Sequence, residues 1–562
     1  MSEEVVDKYS LDEAKEMNLT NNKSYRYTLL AAAVACAAAP ALAATVPAGV
    51  ELAARQELVR NNGSEPASLD PHKVESDVEF NLISDMFDGL VGVKADGTIE
   101  PHLAQSWENK NNTVWIFHLR PGITWSDGTA IVAQDFVYSW QRLVDPKTTS
   151  PYASYPGNMH IVNAADIAQG KKAPDTLGVK ALDDATLEVT LTQPTASFLA
   201  MLAHPSLVPV DKVLVNRFGD QWTKPEHFVS SGAYKLSEWV VNERIVALRN
   251  PRYWDDKNTV INKVTYLPLS AETADVNRYR AGEIDITYTV PVNQFSQLKK
   301  TLGDQVNVSP QLATYYYQFN TTKAPFNDPR VRRALNMALD KDIIAEKVMA
   351  QGQRAAWVIS QPEIGGVKLH GPDYASWPRD KRIAEAKKLL AEAGFGDGHP
   401  LSFNLLYNTM ETHQRIAIAA SSMWKKNLGV EVKLQNQEWK TMLDAMHTGS
   451  FDVVRYAWIA DYDDAATFLN NFRTGDSENT SKYTNPAYDE ALVNAAKSAD
   501  VKARGNYYQQ AEDILAQDVP AIPVYHYVRT HLVKPWIGGF APDSLGYYYS
   551  KDLYIKKHED KR

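Results

Sequence analysis

Residues 115–146 read WIFHLRPGITWSDGTAIVAQDFVYSWQRLVDP. The Pro-Gly and Asp-Gly steps within RPGITWSDGT (120–129) are turn punctuation, so this stretch folds back on itself at the surface. Working outward, strand-like runs recur at LEVTLT (187–192), RIVALR (244–249) and VTYLPL (264–269). Helical periodicity spans Asp328 to Met349, Asp380 to Ala393 and Thr412 to Leu428. In the last of these, Ile416, Ala420, Met423 and Trp424 fall on one face. Strands alternating with helices predict α/β lobes. No repeat, low-complexity linker or shift in composition marks a boundary between them.

The 562 residues have room for several units of about 100–200 residues each. With 44% hydrophobic and 23% charged residues, the chain is neither a multi-span membrane protein nor disordered. A net charge of −9 gives no basic footprint for a phosphate backbone, which excludes nucleic acid as the expected partner. The 13 Trp and 28 Tyr point to a binding surface, because their rings combine an apolar body with a polar edge.

Residues 23–43 read KSYRYTLLAAAVACAAAPALA: two cations, an apolar run from Leu29 to Ala39, and the small-residue ending Ala41-Leu42-Ala43. This predicts a secretory signal peptide over 1–43, cut after Ala43, with Met17 as the start and residues 1–16 a mis-assigned extension. Cys36, the only cysteine, lies inside it, so the mature chain is expected to carry no disulfide and no thiolate.

The sequence has no P-loop, HExxH, GxSxG or GxGxxG. Ser296 and Lys299 make an SxxK, without the SDN and KTG companions that penicillin-binding enzymes need. The histidines do not fall at metal-ligand spacing, and Asp461 to Asp464 lack the Gly and Glu of a calcium loop. The expectation is no catalytic residue, no metal and no cofactor.

Beyond 115–146, the chain carries NPRYWDD (250–256), RYRAGEIDI (278–286), FNDPRVRRALNMALDKDII (326–344) and LLYNTMETHQRIAIAASSMWKKNLGVEVKLQNQEWK (405–440). FDVVRYAWIADYDD (451–464) and LVKPWIGG (532–539) follow. From about Val46 to its end the sequence resembles the extracytoplasmic peptide-binding proteins of ABC importers, solute-binding family 5, near the oligopeptide and murein-tripeptide binders. The resemblance implies a two-lobe, hinged (type II) periplasmic binding protein with an extra domain in the first lobe. It assigns 44–87, 212–312 and 529–562 to lobe I, 88–211 to the extra domain and 313–528 to lobe III. Hinge crossings then fall near 312 and 528, and Trp115, Trp125 and Trp140 become core of the extra domain.

A carrier of many peptides must bind what all peptides share: backbone, ammonium and carboxylate. The resemblance makes Asp461, three residues after Trp458, the partner of the ammonium. It makes Arg455 the partner of a tripeptide carboxylate and His413 that of a tetrapeptide. Met349 and Met446 stand where the oligopeptide binder has cations. Trp439 and Trp458 match side-chain pockets, Tyr152, Tyr316 and Tyr527 match positions around the peptide, and Glu75 and Asp77 match a stretch that pairs with its backbone. The implied ligands are peptides of about two to five residues, tripeptides favoured. The implied partners are the transmembrane permease subunits of an ABC importer, and the chain is expected to be a periplasmic monomer and not an enzyme. A murein-tripeptide carrier is the alternative, followed by a nickel-chelate carrier or an exported peptidase.

Overall fold

A computed structural model of the protein describes residues 46–559; the expected signal peptide and alternative start lie outside the described residues. Among the described residues no helix is long and apolar enough to cross a membrane.

Three principal sheets organise the chain. The first joins Glu57–Asn61, Lys263–Leu267, Arg244–Arg249 and Tyr234–Val240 in that order, parallel only between the first two. The second is an antiparallel sheet of Ala104–Lys110, Val114–Leu119, Thr186–Thr190 and Val179–Asp183. The third has six strands: Arg354–Ala355, Ala521–Leu532, Val306–Phe319, Val453–Ile459, Ser402–Asn408 and Glu431–Gln437.

The stretch 115–146 shows how local chemistry builds the second sheet. Strand Val114–Leu119 ends at a turn in which Gly122 and Gly128 hold φ of 72° and 98°, a region favouring glycine. Trp125 N–H donates to the Thr129 carbonyl at 2.8 Å, closing the second turn. Helix Ala133–Val144 starts where Asp135 Oδ2 accepts from Val132 N–H at 2.9 Å, and it buries Phe136, Trp140 and Leu143. Trp140 is wholly buried, its Nε1 donating to the Leu207 carbonyl at 2.9 Å. Trp115 and Trp125 are buried too, so all three tryptophans are core. Each large apolar side chain taken out of water contributes about 1.5–3 kcal/mol.

The helix expected over Asp328 to Met349 is interrupted. Pro329–Ala338 is helical, capped by Asp328, whose carboxylate accepts from Arg330 N–H at 2.8 Å. The backbone turns extended at Leu339, then resumes as Lys341–Ile343 and a π-helical turn, Ile344–Met349. The break lets Asp340 accept from Arg379 Nε at 2.9 Å and carries Lys341 inside, where its Nζ donates to the Ala356 carbonyl at 3.0 Å. Periodicity alone reports which face is apolar, not where two polar side chains pull the axis apart.

The strands Val306–Phe319 and Ala521–Leu532 run antiparallel for most of their length. Val306–Pro310 pairs with Val528–Leu532, and Thr314–Gln318 pairs with Ala521–His526; the register slips between Pro310 and Thr314. Pro310 has no N–H to give the ladder, and Leu312 N–H donates instead to the Ser544 carbonyl at 2.8 Å. The slip lies beside 312 and 528, where the resemblance puts the hinge. Thr287 N–H donates to the Leu532 carbonyl at 3.0 Å, tying this end of the pair to the first sheet's neighbourhood.

Candidate functional site

Strand Val453–Ile459 is flanked by Val306–Phe319 along its whole length, but by Ser402–Asn408 only at Val453 and Val454. From Arg455 onward one edge has no strand partner among the described residues, and there the neighbouring strands splay. Alternate side chains share a face, so Arg455, Ala457 and Ile459 line up on one face, and Asp461 follows two residues beyond the strand. They border a cavity, with Ala313 and Ala457 leaving room on its wall.

Arg455 is buried in an aromatic setting. Its Nη1 donates to Asn408 Oδ1 at 3.1 Å, its Nη2 to the Tyr527 hydroxyl at 2.7 Å, and its guanidinium lies 4.7 Å over the Tyr315 ring. Its Nε has no hydrogen-bond partner, and no carboxylate among the described residues pairs with it. A buried, positive and unbalanced group is costly unless an anion joins it.

Asp461 stands at the other end. Its Oδ1 accepts from the Tyr152 hydroxyl at 3.1 Å and lies 3.3 Å from His204 Nε2; its Oδ2 accepts from the Thr467 hydroxyl at 3.2 Å. His204 Nδ1 accepts from Ser206 N–H at 3.2 Å, and its buried Nε2 has no hydrogen-bond partner among the described residues. The ring is held between Tyr152 and Tyr155, with centroids 4.4 and 4.9 Å away.

Nine of the ten residues singled out from the sequence line this one cavity: Asp461, Arg455, His413, Trp439, Trp458, Tyr152, Tyr527, Glu75 and Asp77. Tyr316 does not. In the run TYYYQFN, Tyr315 faces Arg455 while Tyr316 points to the opposite face, against Tyr456 and Phe472. A shift of one residue along a strand exchanges the two faces. Met349 lines the cavity, whereas Met446 is buried in the core away from it.

His413 is buried with Nδ1 unpartnered. Burial, and then the nearby Arg455, push its pKa well below the ordinary value, so it is a neutral hydrogen-bonding group and not a cation. Trp439 stacks on Tyr456 with centroids 6.2 Å apart. Glu75, just ahead of helix Asp77–Met86, meets His447 Nε2 at 2.9 Å from both carboxylate oxygens. Asp77 is occupied: Tyr288 hydroxyl donates to it at 2.9 Å and Arg529 Nη1 lies at 3.1 Å. Further contacts bind the cavity's two sides. Thr412 hydroxyl donates to Glu272 Oε2 at 2.8 Å and Gln351 Nε2 donates to the Val290 carbonyl at 2.7 Å. Burial, with Glu411 nearby, pushes Glu272 up to about 7.

Among the residues that the sequence reading missed are Arg529, Asn408, Glu272, Thr412 and Gln351 on the cavity, and His204 beside Asp461. His204 and Asp461 lie in distant segments, and nothing in the local pattern of AHPS announces a partner so far along the chain.

The sequence profile of the bacterial extracellular solute-binding proteins, family 5 Middle, matches residues 98–480. The chain is 53% identical to the periplasmic oligopeptide-binding protein OppA of Salmonella typhimurium over 543 residues, 96% of this chain and all of that protein. Haemophilus influenzae OppA, solved in complex with the peptide RPPGFSPFR, superposes with a TM-score of 0.88 at 44% identity, covering 90% of this chain and 100% of that one. The Escherichia coli murein tripeptide binding protein MppA superposes at 0.89 with 46% identity and the same coverage. The unliganded open form of MppA, at the same identity and covering 91% and 99% of the two chains, reaches only 0.63. Identity is constant between those two comparisons, so the difference is one of shape, and the arrangement described above is not the open one. The chain belongs to the bacterial extracellular solute-binding proteins of family 5, two-lobed α/β proteins that hold a solute and carry out no chemistry on it.

Proposed function

We propose that this protein captures short peptides in the cavity beside strand Val453–Ile459 and, as a periplasmic monomer, delivers them to the permease subunits of an ABC importer. The observation that carries the reading is the pairing of an unbalanced buried Arg455 with Asp461 along an unpaired strand edge. An extended peptide laid on that edge gains main-chain hydrogen bonds without being read by sequence. Its carboxylate meets the guanidinium and its ammonium meets Asp461.

The spacing supports tripeptides as the favoured length. From Arg455 to Asp461, strand only as far as Ile459, six residues span at most about 20 Å between the two Cα atoms. An extended tripeptide spans about 10 Å. His413, uncharged, is a weaker anchor for a tetrapeptide carboxylate, and Met349 offers none to a longer one. The hinge of the resemblance, at the register slip near 312 and 528, is the flexure we assign to closure. Arg529 is already engaged by Asp77, which leaves Arg455 as the cation for a ligand carboxylate and favours ordinary peptides over the more anionic murein tripeptide.

Calorimetry with Ala peptides of two to five residues tests the length reading. The tripeptide is expected to bind about tenfold or more tightly than the dipeptide and pentapeptide. Equal affinity across the series contradicts it.

A further inference from the structure

Two short segments, 152–158 and 473–478, meet at one place, and different sheets carry them. Tyr155–Asn158 is a single helical turn. Just after it, Val162 N–H donates to the Thr190 carbonyl at 3.0 Å, which ties the segment to strand Thr186–Thr190 of the second sheet. On the other side, Gln318 Nε2, from strand Val306–Phe319, donates to the Thr480 hydroxyl at 2.7 Å. Thr321 N–H donates to the Ser481 carbonyl at 3.0 Å, so 473–478 is fixed to the six-stranded sheet.

Four hydrogen bonds cross between the segments. Ser154 N–H donates to Ser477 Oγ at 3.2 Å and Ser477 N–H donates to Ser154 Oγ at 2.9 Å, a reciprocal pair. Asn158 Nδ2 donates to Asp476 Oδ2 at 3.0 Å, while Asn158 Oδ1 accepts from Arg473 Nη1 at 3.1 Å. One amide is thus gripped by an anion and a cation, and both bonds are charge-assisted. Each side also holds its own shape. Asn158 N–H donates to the Ser154 carbonyl, Asn479 Nδ2 to the Arg473 carbonyl and Glu478 N–H to Asp476 Oδ1, all at 3.0 Å. Surfaces ordered in advance lose little freedom on meeting. The five crossing residues are only half-buried, so once parted they are satisfied by water, and the contact is reversible. None of Ser154, Asn158, Arg473, Asp476 and Ser477 borders the peptide cavity. Tyr152, two residues ahead of Ser154, does border it, and its hydroxyl donates to Asp461 at 3.1 Å.

We propose that 152–158 is a clasp: docked on 473–478, it positions Tyr152 on the amino-group anchor and sets how long a captured peptide stays. The inference rests on the peptide reading above and adds to it the residues outside the cavity that govern release. Ser126 N–H donates to the Ser230 carbonyl at 2.9 Å, joining the turn of 120–129 to the chain that enters the first sheet, so the second sheet moves with the first. Opening at the hinge near 312 and 528 then draws 152–158 away from 473–478, and a peptide leaves only when all four bonds have parted.

Stopped-flow tryptophan fluorescence with trialanine tests this on Asn158→Ala and Ser477→Ala. Asn158→Ala removes two charge-assisted bonds and is expected to speed dissociation about tenfold or more; Ser477→Ala removes one neutral bond and is expected to speed it about fivefold. Association is expected to stay within about twofold in both, because the clasp forms after capture. The unfolding temperature of the peptide-free protein is expected to stay unchanged, since the open form does not make these bonds. Unchanged dissociation in both variants overturns the clasp and leaves the peptide reading standing. Faster dissociation accompanied in both by a lowered unfolding temperature of the peptide-free protein makes these residues part of the fold's general stability and also overturns it. If trialanine does not bind the unaltered protein, the peptide reading fails and the clasp falls with it.

Discussion

Arg455 and Asp461 divide the work because their surroundings differ. Arg455 has one amide and one phenol as partners and no carboxylate, whereas Asp461 already accepts from the Tyr152 and Thr467 hydroxyls. Replacing Arg455 by Met is therefore expected to weaken a tripeptide with a free carboxylate by about tenfold to a hundredfold, the worth of a charge-assisted contact of about 1.5–3 kcal/mol. The same change should leave the C-terminally amidated peptide nearly unaffected. Calorimetry on both ligands checks it, and an equal loss for the two contradicts the anchor. In the sequence, Asp461 and Arg455 stand out through the family resemblance, and the structure sets both on the border of one cavity. His204 does not stand out, because its contact is with a residue 257 positions away along the chain.

At the scale of the element, the decisive feature is a strand whose partner leaves it after Val454. The sequence shows FDVVRYAWIADYDD as an apolar, strand-forming run, but the ladder that stops halfway is set by where Ser402–Asn408 diverges, and pattern carries no signal for that. The resemblance likewise singles out Tyr316, whereas on the folded strand it is Tyr315 that meets Arg455, with Tyr316 on the opposite face. The helix predicted over 328–349 failed for a related reason, since Asp340 and Lys341 take partners at Arg379 and Ala356. If the free edge binds peptide backbone, methylating the second amide nitrogen of trialanine removes a donor and should weaken binding about fivefold, for a net hydrogen bond near 1 kcal/mol. Unchanged affinity in calorimetry argues that the edge is not used.

Across the whole molecule, His447 and Glu75 join segments 372 residues apart at the cavity rim. Burial opposes the imidazolium, but the Glu75 carboxylate outweighs it and raises the His447 pKa above 6.5; Lys482 and Asp444 also face the ring, and Glu75 in turn faces Glu478. A raised histidine stabilises the closed arrangement below the pKa of its open state, about 6.5, and that contribution disappears as pH climbs through the raised value. Peptide dissociation, followed by tryptophan fluorescence in a stopped-flow instrument, is thus expected to accelerate as pH rises through the raised value and to lose that dependence in His447→Gln; an unchanged profile in the variant contradicts the latch. The central claim is that a cleft recognises the two charged ends of any short peptide. The most direct measurement is the affinity of trialanine and of N-acetyl-trialanine for the unaltered protein and for Asp461→Asn. Removing one partner of a buried ion pair costs about 3–5 kcal/mol, so acetylation should abolish tight binding to the unaltered protein, and Asp461→Asn should bind both peptides weakly and alike. Equal, tight capture of both peptides by both proteins would contradict the account.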